Sequence, residues 1–219
     1  RYAEIAPAVP LARHMPTHIF IQHGMWDMVS GHNQFAYDAA RALWEEGDSV
    51  SDTVHSLDWG QYGELQRGDY EQARLWIERL EMVTEESVGQ NRASNSLPLL
   101  RARYVVETEN WETLEITEDS ASTELLATGL SAVKTGDLET AKKAAEALKE
   151  AEGANNQVMH KEVAASILAA RGETDEAIAL MDEAVEITLG MRPPNGAANP
   201  VKPTFELYGE ILLGFGHYE

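Results

Sequence analysis

The stretch "GDYEQARLWIERLEMV", residues 68–83, decides the fold class. Its apolar side chains Tyr70, Ala73, Leu75, Trp76, Ile77, Leu80 and Val83 follow the 3.6-residue period of a helix, with Glu and Arg elsewhere. The unit behind it is an apolar helix, a Gly turn, an acidic or polar residue, an aromatic or apolar residue, and a second helix rich in Ala. Working outward, the same unit recurs at Gly24-Met25-Trp26, Gly68-Asp69-Tyr70, Glu109-Asn110-Trp111, Gly136-Asp137-Leu138, Gly172-Glu173-Thr174 and Gly216-His217-Tyr218. Successive spacings are 44, 41, 27, 36 and 44 residues, an irregular period near that of helix-turn-helix repeats.

The repeat extends to both sides of the turn. Seven residues before it stand Thr17, Gln61, Ala102, Gly129, Ala165 and Gly209, and five after it stand Val29, Ala73, Leu114, Ala141 and Ala177. Small side chains at these slots let two helices approach closely. "DLETAKKAAEALKEA" and "ETDEAIALMDEAVEI" carry acidic residues in the first turn, where the helix dipole favours them. β-Branched alternation is absent over any useful length. The expected fold is therefore all-α, a right-handed solenoid of five to six antiparallel helical hairpins forming one domain over residues 1–219.

Two interruptions stand out. Residues 45–51, "EEGDSVS", separate the first two hairpins, with Asp52 expected to cap the helix that follows. Residues 189–203 hold four of the eight prolines and read as a long loop, either functional or a spacer.

In residues and spacing the unit resembles the tetratricopeptide repeat. "HMPTHIF" followed by "GMWD", then "HSLDWGQYGELQRGDYEQA", and later "ELYGEILLGFG", look like a group of larger bacterial tetratricopeptide proteins whose C-terminal halves carry an HMP-x-HI motif. That resemblance implies a fold and little chemistry, since members of the group often look exported and mostly lack an assigned activity. It also implies that this chain is a piece of a longer one.

The bulk properties narrow the function. Lys and Arg number 17 against 37 Asp and Glu, a net charge of −20 that repels phosphate backbones and anionic lipid. Nucleic acid and membrane insertion are not expected. There is no cysteine, which excludes disulfides, zinc thiolates and thiol catalysis. No run of 18 apolar residues exists and "RYAEIAPAVP" is not a targeting segment, so the compartment stays open.

Candidate chemistry lies in the histidines. The resemblance implies that positions thirteen, ten and six before each turn residue point into a concave surface. These are Leu11, His14 and His18, then His55, Asp58 and Tyr62, then Ser96, Leu99 and Arg103. His14, His18, His55, Asp58, Tyr62 and Arg103 are thereby expected to meet on one patch. His23 and His32 fall outside the register and are expected at the surface, and His160 and His217 are isolated.

Three uses of that patch are open. A protein or peptide, basic in character to suit the acidic surface, is the expected partner, bound without catalysis or cofactor. Alternatively, three imidazoles and a carboxylate, His14, His18, His55 and Asp58, are what a divalent metal or a metal-dependent enzyme needs. A third use is structural, with His14 and His55 hydrogen-bonded across the interface and Asp58 fixing a tautomer. Pro16 between His14 and His18 weakens the simple four-residue helical spacing, because Pro is comfortable only in a first turn. The sequence has no H-E-x-x-H, G-x-S-x-G, phosphate loop or dinucleotide fingerprint, and the Lys and Asn of a carboxylate clamp are missing from the concave positions. Trp26, Trp59, Trp76 and Trp111 occupy or adjoin repeat-core slots, where packing accounts for them.

Overall fold

The protein was analysed as a computed structural model that describes residues 2–217, so Tyr218 of the last repeat turn lies outside the described residues. The described residues form twelve helices and no strand. None of these helices is long and apolar enough to cross a membrane. The chain divides into two compact units, Arg1–Tyr104 with Asn195–Ala197, and Val105–Pro194 with Ala198–Glu219.

The first unit contains α1 (Tyr2–Ile5), α2 (Pro10–His14), α3 (Thr17–Gln22), α4 (Trp26–Leu43), α5 (Ser51–Arg67), α6 (Tyr70–Glu86) and most of α7 (Asn91–Thr108). α4 packs on α2, α3 and α5, and α5 packs on α6. Gly68, with φ 73°, ends α5 in the left-handed region, and the Asp69 N–H reaches back to the Glu64 carbonyl at 3.0 Å. The Asp69 side chain then accepts from the Gln72 N–H at 3.2 Å and starts α6, so stop and start occupy two residues. Val50, Val54, Leu57, Trp76, Leu80, Val83 and Leu100 fill the core between these helices.

Two glycines let α5 lie between its neighbours. A Cβ on Gly60 would stand 2.6 Å from the Trp76 ring, and one on Gly63 would stand 3.0 Å from the Ser30 backbone nitrogen. The first is closer than a Cβ can come and the second is tighter than most Cβ contacts, so glycine at these two positions lets α5 approach its neighbours.

The second unit contains the end of α7, then α8 (Ser122–Thr135), α9 (Leu138–Glu150), α10 (Ala154–Ala170), α11 (Thr174–Gly190) and α12 (Thr204–Gly214). α8 packs on α9, α9 on α10, and α10 on α8, α11 and α12. The stop-and-start turn recurs, with the Asp137 N–H bonded to the Ala132 carbonyl at 2.8 Å and the Asp137 side chain accepting from the Thr140 N–H at 3.1 Å. Four of the small-residue slots are buried here, Gly129 facing Val163 and Ala144, and Ala141, Ala165 and Ala177 inaccessible, whereas Gly209 is only partly buried with open space where a Cβ would stand.

Three expectations about local structure change. No helix follows the turn at Glu109. Glu109 adopts φ 53°, but residues 110–121 run without helix, and Leu114 is exposed where its counterparts are buried. Thr113, Ile116 and Thr117 are β-branched and disfavour helix, while Thr117 and Ser120 bond to one another in a local turn. Asp52 does not cap α5, because that helix starts at Ser51 after Val50 and places Asp52 inside its first turn. The proline-rich stretch is shorter than its sequence implies, since α11 runs on to Gly190; Val201 and Lys202 near its end are buried.

Candidate metal centre

Pro16 interrupts what would be the first long helix. It serves as the N-terminal cap residue of α3, leaving His14 as the last residue of α2 and His18 in the first turn of α3. The break is bridged by the Thr17 hydroxyl, which donates to the His14 carbonyl at 2.7 Å. His55 comes from α5, forty-one residues on.

These three rings converge through one kind of atom. His14 Nε2 lies 3.2 Å from His18 Nε2 and 3.0 Å from His55 Nε2. A donor nitrogen from each of the three falls within 4.8 Å of the others. Trp59, one turn after His55 and 6% exposed, backs the cluster, with its ring 4.9 Å from His14, 4.5 Å from His18 and 5.8 Å from His55. Gly196 lies against the indole, where a Cβ would stand 3.0 Å from a ring carbon.

Asn33 orients the buried member. Its side-chain amide donates to the Val29 carbonyl at 2.8 Å, which turns its oxygen toward His14 Nδ1, also 2.8 Å away. This assigns the proton of His14 to Nδ1 and leaves the Nε2 lone pair aimed at the cluster. Burial pushes the His14 pKa down to about 4, against a partial gain from the Asn33 bond, so the ring is neutral at physiological pH. Burial lowers the pKa of His55 as well, in part offset by Asp58.

The remaining members of the expected patch take other places. Asp58 pairs with Arg103, whose Nη2 stands 2.8 Å from Oδ1 in an ion pair without hydrogen-bond alignment. Arg103 also donates to the Asp58 carbonyl at 3.2 Å and to Gln61 Oε1 at 3.1 Å, and its guanidinium lies over the Tyr62 ring. Tyr62 also meets Trp26 edge to face. The expected patch is thus two neighbouring sets, a trio of imidazoles and an Asp58–Arg103–Tyr62 group.

Of the other histidines, His23 and His217 are exposed as expected or unassigned, but His32 is partly buried, with Nδ1 bonded to the Arg13 carbonyl at 3.0 Å and its ring against Phe20. His160 likewise is tied, through Nδ1, to the Ala145 carbonyl at 2.8 Å.

Two buried polar residues escape sequence reasoning, one beside the imidazoles and one far from them in the chain. Asn33 occupies the buried face of α4 with Val29, Ser30, Ala36 and Ala40, and an amide on a face otherwise made of small and apolar side chains is the signal that finds it. Glu162, in the second unit, stands at helical spacing from Val158 and Met159 on the buried face of α10, a signal easily lost in a chain with so many carboxylates. It is fully buried, its Oε1 accepts from the Thr204 hydroxyl at 2.8 Å, and its Oε2 has no partner. Burial drives its pKa up to about 8 despite that bond and the nearby Lys202, so the group is a neutral acid at physiological pH. Lys202 is itself held by Glu206 and Glu210, each 2.5 Å away.

No protein-family model, curated protein or solved structure matches this chain, and the functional reading stands on the residues described above.

Proposed function

We propose that the protein binds a divalent first-row transition ion, zinc foremost, through Nε2 of His14, His18 and His55. The observation that carries this is the pair of nitrogen separations at His14, 3.0 and 3.2 Å. Nitrogens bound tetrahedrally to zinc at about 2.0–2.1 Å stand about 3.3 Å apart, so small shifts bring the trio onto an ion. Hydrogen bonding alone accounts less well for the arrangement. His14 Nε2 offers one lone pair to two neighbouring nitrogens, and an ion at their centre engages all three rings at once. Asn33 then plays the outer partner that fixes tautomer and ring plane, as the unbound nitrogen of a ligating histidine requires. All-imidazole ligation suits zinc, copper or nickel better than the oxygen-seeking magnesium or calcium.

The frame that carries the centre is, on this reading, of the tetratricopeptide kind within each unit. The recurring glycine-acid turns and the buried small residues seven before and five after them support it. Peptide recognition by the six-residue patch has weaker support, because His14 and Arg103 are each 2% exposed and engaged internally.

The test is metal content and titration. The purified protein, stripped with chelator, is expected to take up one zinc ion per chain and to melt at higher temperature with it. Each single change of His14, His18 or His55 to Ala should remove both effects. Absence of stoichiometric uptake, with a melting temperature indifferent to zinc, copper and nickel, would falsify the proposal.

A further inference from the structure

The donor set that converges here is His14, His18 and His55 alone, with no carboxylate among it, so an ion held there would have no anionic protein ligand. All three ligands would be imidazoles, which bring no negative charge to an ion they bind. Asp58, the carboxylate whose charge acts most on the cluster, is committed to Arg103, and Arg103 is a buried guanidinium that also bonds the Asp58 carbonyl and Gln61. Releasing Asp58 would leave that guanidinium buried and unpaired, at a cost that holds the pair together. An ion ligated by three neutral groups retains its full charge in a half-buried site and draws an anion from solution. Access exists on one side only. His14 is buried and Trp59 closes the back, whereas His18 and His55 are partly exposed. Arg92, in the first turn of α7, and Asp52, in the first turn of α5, act on His55 in opposite senses, and neither belongs to the convergent donor set.

We propose, resting on the metal reading above, that the fourth coordination position of the His14–His18–His55 centre takes a carboxylate from another molecule, so that the ion serves as a carboxylate receptor. Three nitrogens leave one tetrahedral position, and the partly exposed edges of His18 and His55 put it within reach of solvent. A carboxylate oxygen there neutralises half of the ion's charge without disturbing the Asp58–Arg103 pair. The carboxylate has two conceivable sources, a free small acid or the terminus of a peptide, which share this chemistry.

Cobalt(II) in place of zinc reports the coordination directly. The visible bands of the cobalt-loaded protein should shift on titration with acetate, with half-saturation at millimolar concentration or below, and the acetate methyl proton signal should broaden. A short peptide acid should act like acetate while its C-terminal amide does not; tighter binding by the peptide acid than by acetate identifies a chain terminus as the source. In Asp58→Asn the acetate affinity should change less than threefold. A gain of tenfold or more there would mean that Asp58 had filled the fourth position, and would overturn the inference. If that variant does not fold, the methyl broadening in the unaltered protein decides alone: cobalt bands that appear but ignore acetate, with no broadening, also overturn it. Failure of cobalt to bind at all is a different result, and strikes the metal reading itself.

Discussion

Each unit buries an ionisable side chain without a counter-charge, and the two solutions differ. In the first, His14 engages both nitrogens, one on Asn33 and the other toward two further imidazoles. In the second, Glu162 satisfies one oxygen through Thr204 and leaves the other bare. Both groups avoid the cost of a buried charge by staying neutral. What separates them is the direction of their lone pairs. Those of the imidazoles converge with like donors into a group that could hold an ion, whereas the bare oxygen of Glu162 meets no partner. Burial of a titratable group therefore locates a point of stress, and only convergence of donors makes it a site.

The largest effect is expected from removing a ligand. His55→Ala should weaken zinc binding at least about 1000-fold, roughly 4 kcal/mol, read by competition against a chelating dye. The matching change Glu162→Gln should leave zinc affinity untouched. If both altered it, the contrast between ligand set and stress point would collapse.

Next in size are two opposed pH dependences. Unfolded His14 takes a proton near pH 6.5 and folded His14 only near 4, so in that window the unfolded chain binds more protons and metal-free protein loses stability as pH falls. Glu162 runs the other way. Unfolded it ionises near 4.5 and folded near 8, so the folded state holds the extra proton and stability is lost as pH rises between those values. At about 1.4 kcal/mol per pH unit the effect reaches roughly 3.5 kcal/mol for His14 and roughly 5 kcal/mol for Glu162. Glu162→Gln should flatten the alkaline loss in urea unfolding between pH 5 and 8, and an unchanged slope would remove Glu162 as its cause.

Asn33→Ala should cost about 10- to 100-fold in zinc affinity, the range for loss of an outer-shell partner. Gly60→Ala and Gly129→Ala sharpen the comparison at the smallest scale, one in each unit. Their added methyls meet the Trp76 ring at 2.6 Å and the Val163 methyls at 2.7 Å. Each should destabilise by about 1–3 kcal/mol, more at Gly60 because an indole yields less than an isopropyl group. Thermal melts of the two variants side by side make the check.

The helical class was legible because it rests on local rules: the period of residues 68–83, and glycine-acid turns whose stop and start are written in adjacent residues. The meeting of His14, His18 and His55 was legible for a similar reason, since positions at a fixed distance before successive turns fall on the same face of successive helices. The split of Asp58 and Arg103 from the imidazoles was not, because register places residues side by side without saying which donor turns to which acceptor. Nor was the run without helix after Glu109, where a turn signal survives but β-branched residues follow it. Glu162 was overlooked because its character comes from burial, and its place in "NNQVMHKEVAAS", three and four residues after Met159 and Val158, is a fainter sign than a turn or a cluster.

The break at Pro16 has a mechanical consequence. It divides the ligand-bearing segment into rods of five and six residues, α2 and α3, each far too short to persist on its own hydrogen bonds. His14 rides on one rod and His18 on the other, while His55 belongs to the long helix α5. An ion seated among them acts as a clasp that pins both rods to the body of the unit. Amide hydrogens of residues 10–22 should therefore exchange fast in the stripped protein and slow together on loading, which makes the first helical segment the part of the chain whose order the ion commands.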